Sequence, residues 1–201
     1  MVDDLLGSGF VNSLGRPDGN VTGVNVLAGD LDGKRPGLRR MAALADTNSS
    51  DAKLNALQEA VRARDIELSI YRVANGDEIV PAINKAQASG ATALNVLASP
   101  LLFANRQLIM DRVAAAHLPT IYDLPERAEE GGFAAYGPRI NQLFLEVMVE
   151  QVIKLFRGTK IADIPVEQPT KFELVINLKT ADALGITVPA TLVARADKGI
   201  E

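Results

Sequence analysis

The sequence predicts an α/β fold, a parallel sheet flanked by helices, on three observations. Strand-like and helix-like stretches alternate four times between residues 39 and 122, the order that yields a parallel sheet with crossover helices. The junctions carry helix punctuation; in Ser99-Pro100 an N-cap precedes the residue best suited to the first helical position. A separate strand–helix unit, "QPTKFELVINLKTADALGITVP" (168–189), follows much later.

Residues 1–37 are rich in Gly, Asn and Asp and contain one short apolar run, "VTGVNVL". The strand reading begins with "RRMAALAD" (39–46). Thr47, Asn48, Ser49 and Ser50 all offer capping side chains for a helix from Asp51 to Arg64, with Leu54, Leu57 and Val61 as its stripe. "IELSIYRV" (66–73) alternates with period two and reads as the next strand. Asp77 opens a helix to about Ser89, in which Pro81 is tolerated because it lies in the first turn, and Gly90 stops it. "ATALNVLA" (91–98) is a third strand. The helix opened by Ser99-Pro100 runs to about His117, and "PTIYDL" (119–124) is strand again.

The strongest helical pattern is 139–157, "RINQLFLEVMVEQVIKLFR". Ile140, Leu143, Phe144, Val147, Met148, Val152, Leu155 and Phe156 make a broad apolar stripe, widened by Leu145, Val149 and Ile153. Such a helix calls for partners on more than one side, and a homo-oligomer built on it is expected. In the late unit, Phe172, Leu174, Ile176 and Leu178 alternate with Lys171, Glu173, Val175 and Asn177. Asn177 caps the short helix that follows, and Gly185 ends it.

Composition removes several function classes. The 201 residues are 47% apolar and 23% charged, which is globular rather than disordered. A net charge of −4 without a Lys/Arg run, no Trp and 4% aromatics argue against a nucleic-acid partner. There is no Cys and one His, so metal sites and Ser/His/Asp or Cys/His nucleophiles have almost nothing to use, and no cofactor is expected. His117 reads as a cation favoured at a helix C-terminus. "GDLDGKR" (29–35) has three residues between its glycines where a phosphate loop has four, and "GSGFVN" (7–12) ends on Asn and follows no strand. Glu126, Glu129 and Glu130 read as a solvated loop face rather than an acid/base site. The acidic start, "MVDDLL", does not fit a signal peptide.

What remains is a set of strand ends. Open parallel sheets bind ligands beyond the carboxyl ends of their strands, where helix N-termini present N–H groups. Those ends carry "DTNSSD" (46–51), "ASPLL" (98–102) and "YDLP" (122–125). Small hydroxyls, an amide and a Tyr suit hydrogen bonding to a small polar ligand and suit covalent chemistry poorly. Capping is the competing role for Ser50 and Ser99. The loop from Thr47 to Asp51 is also expected to bind anions through its backbone N–H groups.

"GFVNSLGRPDGNVTGVNVL", "SPLLFANRQLI", "GGFAAYGP" and "PVEQPTKFELVINLKTADALGITVPATLVARADKGIE" resemble the substrate-binding proteins of one ABC-transporter family. These receptors have the type I periplasmic-binding fold, and some relatives bind aromatic amino acids. The resemblance implies two α/β lobes joined by three crossings, with a small-molecule solute captured between them and passed to an ABC permease without bond-making. It places the first crossing at "GRPDGNVTG", the second at "AAYGP" and the third after "VEQPTKF". Residues 1–20 then belong to a first lobe otherwise missing, and 21–135 form the second lobe. Residues 136–165 hold the hinge and the long helix, and 166–201 return to the second lobe and end in a tail. On that basis Asn48, Ser49, Ser99, Tyr122 and Asp123 are the expected ligand contacts, with Tyr136 at the hinge. The family implies a periplasmic location. A stand-alone sensing or interaction module and a flavodoxin-like enzyme are the other readings.

Overall fold

The computed structural model describes residues 39–142 except 64, then 145, 148–166 and 171–201. The first crossing, "VTGVNVL", Leu143, Phe144 and Val147 lie outside these residues. The elements in chain order are β1 (Arg40–Asp46), α1 (Asp51–Arg62), β2 (Glu67–Val73), α2 (Ile79–Ala88), β3 (Ala93–Val96), α3 (Pro100–Ala104), α4 (Arg106–Ala115) and β4 (Thr120–Tyr122). They continue with α5 (Pro125–Glu129), β5 (Ala134–Gly137), α6 (Ile140–Gln142), α7 (Val149–Phe156), β6 (Glu173–Asn177), α8 (Leu178–Ala183), α9 (Ala190–Val193) and β7 (Lys198–Ile200).

The strands make one sheet in the order β2-β1-β3-β4-β5-β6-β7. β1 lies between β2 and β3 and is covered on both faces, which is why its alanines and Leu44 form a continuous apolar run rather than an alternation. On one face Ala42, Leu44, Leu94 and Val96 pack with Ile79, Ile83 and Ile109 of α2 and α4. On the other, Met41, Ala43 and Ala93 pack with Leu54, Leu57 and Val61 of α1, the stripe the sequence predicts. Each larger side chain, Leu, Ile, Val or Met, contributes about 1.5–3 kcal/mol by leaving water.

The sheet is mixed rather than wholly parallel. β1 to β5 are parallel, but β6 runs antiparallel to β5 and pairs in parallel with β7. The C-terminal segment expected as a tail therefore supplies a strand, Lys198–Ile200. The late unit is as predicted: Asn177 Oδ1 accepts from the Thr180 N–H at 3.0 Å and caps α8, and Gly185 takes φ +65°, which a glycine adopts at little cost.

One expected helix differs. The one from 100 to 117 is divided at Asn105, whose backbone N–H and side-chain amide both donate to the Leu101 carbonyl, at 3.2 and 2.9 Å. That local competition ends α3 and lets α4 start afresh. α4 closes at His117, which sits at φ +48° while the Leu118 N–H reaches back to the Val113 carbonyl at 3.0 Å. Within 139–157, the described residues include the helical stretches α6 and α7, in line with the helical pattern of the sequence. Leu145, Met148, Val149, Val152, Ile153, Leu155 and Phe156 are all exposed, Phe156 at 89%.

The chain thus leaves the sheet at Gly137 and re-enters beside that point, because Gly137 and Glu173 are register partners in β5 and β6.

Candidate functional site

The order β1-β3-β4-β5 makes four strand ends neighbours, so the loops after them line one edge. The loop after β1 is folded on itself. The Thr47 N–H donates to the Val73 carbonyl at 3.0 Å, and the Ser49 N–H to the Asp46 carbonyl at 2.9 Å. The buried Asp46 carboxylate accepts from both the backbone and the side-chain amide of Asn48, at 2.8 and 3.0 Å. Ser50 Oγ caps α1 by accepting from the Lys53 N–H at 3.4 Å. The expected anion site is therefore short of donors, since the N–H groups of Thr47, Asn48 and Ser49 are already engaged. Asp51, which opens α1, pairs with Arg72 at 2.6 Å.

Ser49 is the exception in this loop. Its side chain is buried, yet its hydroxyl has no hydrogen-bond partner among the described residues. Buried hydroxyls are normally paired, so this one is available to a group that arrives later. Lys53 Nζ donates to the Ala98 carbonyl at 3.2 Å and ties this loop to the one after β3. There Ser99 Oγ accepts from the Leu102 N–H at 3.1 Å. Capping uses one lone pair and leaves the Ser99 O–H proton to donate elsewhere.

Asp123 follows β4 and is half-buried. Its carbonyl lies so close to Gly137 that a Cβ there would be 1.8 Å from the oxygen. Tyr136, on β5, is half-buried, and its ring packs on Phe172 with centroids 5.6 Å apart and planes tilted by 33°.

Asn48, Ser49, Ser99 and Asp123 thus share the edge, with Tyr136 one strand along. Tyr122 goes elsewhere. Its side chain is buried in the core layer with α2 and α4, against Gly132, where a Cβ would meet the ring at 2.6 Å. Burial pushes its hydroxyl well above the ordinary tyrosine range, with Arg127 opposing weakly. Its ring occupies the core, so the structure places it as a wall and not among the side chains of the edge.

Beside the edge is a clamp where the sequence suggested a solvated loop face: Glu126 and Glu129 lie in α5, and Glu129 is held by ion pairs. Arg139 Nε donates to Glu173 at 2.7 Å, and its Nη1 and Nη2 to Glu129 at 3.3 and 3.0 Å. Lys198 Nζ also donates to Glu129, at 2.8 Å. Hydrogen bonds from Arg139, then Lys198, hold the Glu129 carboxyl below the ordinary carboxylate range. The bond to Glu129, and after it that to Glu173, raises Arg139 above its ordinary value. These residues are 34 and 69 positions apart in sequence, so no local spacing announces them. Asp46 and Phe172 were not named as site residues; Asp46 ends β1, and Phe172 lies just before β6. Among the described residues no group of three or more His, Cys, Asp or Glu is placed to hold a metal, and no helix is long and apolar enough to cross a membrane.

The fold is that of an open, mostly parallel α/β sheet with polar side chains on its strand-end loops, the architecture of solute receptors among others. The family model for ABC transporter substrate-binding proteins matches residues 1–200, and the chain belongs to that family. No curated protein matches it. Its fold is similar to that of an ABC domain from Streptococcus pneumoniae in complex with L-Trp, at TM-score 0.86 and 22% identity over 98% of this chain and 69% of that one. A conserved domain protein from Vibrio cholerae is similar at TM-score 0.88 and 20% identity, with the same coverage. The ligand-free, open structure of a substrate-binding protein with adhesive properties from Clostridium difficile is similar at TM-score 0.63 and 18% identity, over 99% of this chain and 69% of that one. The solute-binding role follows from the family.

Proposed function

We propose that this chain captures an amino-acid-sized, zwitterionic solute with an aromatic side chain and presents it to an ABC permease. The observation that carries the reading is the unpaired Ser49 hydroxyl at an edge it shares with Asn48, Ser99 and Asp123. The two Ser hydroxyls donate to the solute carboxylate. The carboxylates of Asp46 and Asp123 favour its ammonium group, and the Tyr136–Phe172 pair offers a ring face at the hinge. The Streptococcus relative was solved with L-Trp, which supports an aromatic solute. The strand exit at Gly137 and the return at Glu173 act as two of the inter-lobe crossings. Working sites outside the cytoplasmic membrane are normal for the family.

A calorimetric titration of the full chain with L-tryptophan, L-phenylalanine, L-leucine and L-glutamate tests this. Heat from the aromatic pair that exceeds that from leucine and glutamate is expected. Equal response to all four, or none to the aromatic pair, overturns the reading.

A further inference from the structure

A cavity of about 300 Å³ lies apart from the Ser49 and Ser99 loops. It lies between the C-terminal half of α4, the Gly131–Phe133 loop and α8. Thr120, which begins β4, lines its inner part, whereas the solute edge lies beyond the opposite end of that strand. Three bonds fix its frame. Thr180 Oγ1 donates to the Gly131 carbonyl at 3.0 Å, Asn177 Nδ2 to the Ala128 carbonyl at 2.9 Å, and the Asn177 N–H to the Phe133 carbonyl at 2.9 Å.

Its walls are mainly apolar, from Met110, Val113, Leu118, Phe133 and Leu184, with the Tyr122 ring. The titratable groups that line it, besides Tyr122, are His117 and Lys179, both exposed; among the described residues no acidic side chain does. That is notable in a chain with 25 acidic against 21 basic side chains. His117 holds its place at φ +48°, a conformation that most residues avoid. At the inner end the Tyr122 hydroxyl lies beside Thr120, whose own hydroxyl donates to the Leu118 carbonyl at 2.9 Å.

Ligand sites are concave and largely apolar, with a few polar groups that fix orientation, and this volume is at the small end of their range. We infer that the cavity between α4 and α8 is a second binding site, for a small apolar carboxylate. The hydrocarbon body lies among Met110, Val113 and Leu184, and the carboxylate meets Lys179 and His117. Because α4 precedes and α8 follows the α6–α7 excursion, a molecule seated there bridges the two passes of the chain through this lobe.

The test is methyl NMR on full chain labelled at Met, Leu and Val, titrated with 4-methylpentanoate and, as the cationic counterpart, 4-methylpentylamine. Saturable shifts at Met110, Val113 and Leu184 with the carboxylate, and at least fivefold weaker binding of the amine, are expected. Lys179→Glu should weaken the carboxylate at least fivefold, and Ala183→Phe, which fills the cavity from α8, should abolish the shifts. Amide spectra of both variants establish that they fold. If either variant is unfolded, the preference of the unmodified chain for carboxylate over amine decides alone. Equal affinity for the two molecules, or shifts confined to the Ser49–Ser99 edge, overturns the inference. Because the reporters lie away from that edge, failure here leaves the amino-acid titration above to stand or fall separately.

Discussion

The guanidinium of Arg139, two residues beyond the strand on which the chain leaves the sheet, is bonded at 2.7 Å to Glu173, the first residue of the strand on which it returns. The same cation holds Glu129, which Lys198 also reaches from the last strand. One Arg therefore gathers β5, β6, α5 and β7 at the place where the chain departs and comes back.

Arg139→Ala should cost roughly 1 kcal/mol, the upper range for a partly exposed pair with good geometry. Its pH dependence has a defined sign. Glu129 is lowered in the folded state, so its contribution is fully present above about 4.5, the ordinary value, and is lost as pH falls through the lowered one. Urea denaturation of both proteins should give a constant difference near neutrality that shrinks below that value. A difference that grows in acid would contradict the assignment.

Gly137→Ala should destabilise the chain by about 1–3 kcal/mol, the usual range for overpacking. A Cβ at 1.8 Å from the Asp123 carbonyl is intolerable, so β4 and β5 must separate at their ends. Thermal unfolding measures the cost. Solute affinity should fall with it, because the same displacement moves Asp123 and Tyr136.

Ser49→Ala separates stability from binding. Removing a buried hydroxyl without a partner should leave stability unchanged or raise it by up to about 1 kcal/mol. If the hydroxyl serves the solute, affinity for the bound amino acid should drop roughly fivefold to tenfold by calorimetry, the worth of one hydrogen bond. A loss of stability with unchanged affinity would assign Ser49 to the fold alone.

The exposed face of α7 predicts a pair of chains. Met148, Val152, Ile153 and Phe156 are 42%, 45%, 42% and 89% exposed, a patch that monomers seldom present to water. Light scattering at micromolar concentration should report a dimer, and Ile153→Asp with Met148→Asp should report monomer. A well-folded monomer of the unmodified chain would remove the proposal.

Most of the sheet was legible because its signals are local. Ser50, Ser99 and Asn177 each cap the helix their position predicts, and the stripe of α1 is buried as its spacing requires. The break at Asn105 was hidden because the pattern on either side stays helical and only a side chain bonding back to Leu101 interrupts it. β7 was hidden for the opposite reason: "KGI" has no strand pattern and is extended only because β6 offers a ladder. That the Tyr122 ring turns into the core was not legible, because a strand-end position does not say which face a side chain takes and β4 has only three residues. The strand ends were legible from the alternation of strands and helices, but whether each Ser there caps, waits or packs is a matter of distances that residue types do not encode.

β6 is an interior strand of the finished sheet, one in from the β7 edge, yet it is among the last segments to be made. On a growing chain β5 must wait as an open border while the whole of 138–172 is added, an interval of seconds at ordinary synthesis rates. Its sequence, "AAYG", is short and poor in β-branched residues, so it is a weak template for a foreign strand during that wait. A charge-free, valine-rich β5 would pair equally well in the finished molecule and would be a far more dangerous thing to leave uncovered at the ribosome.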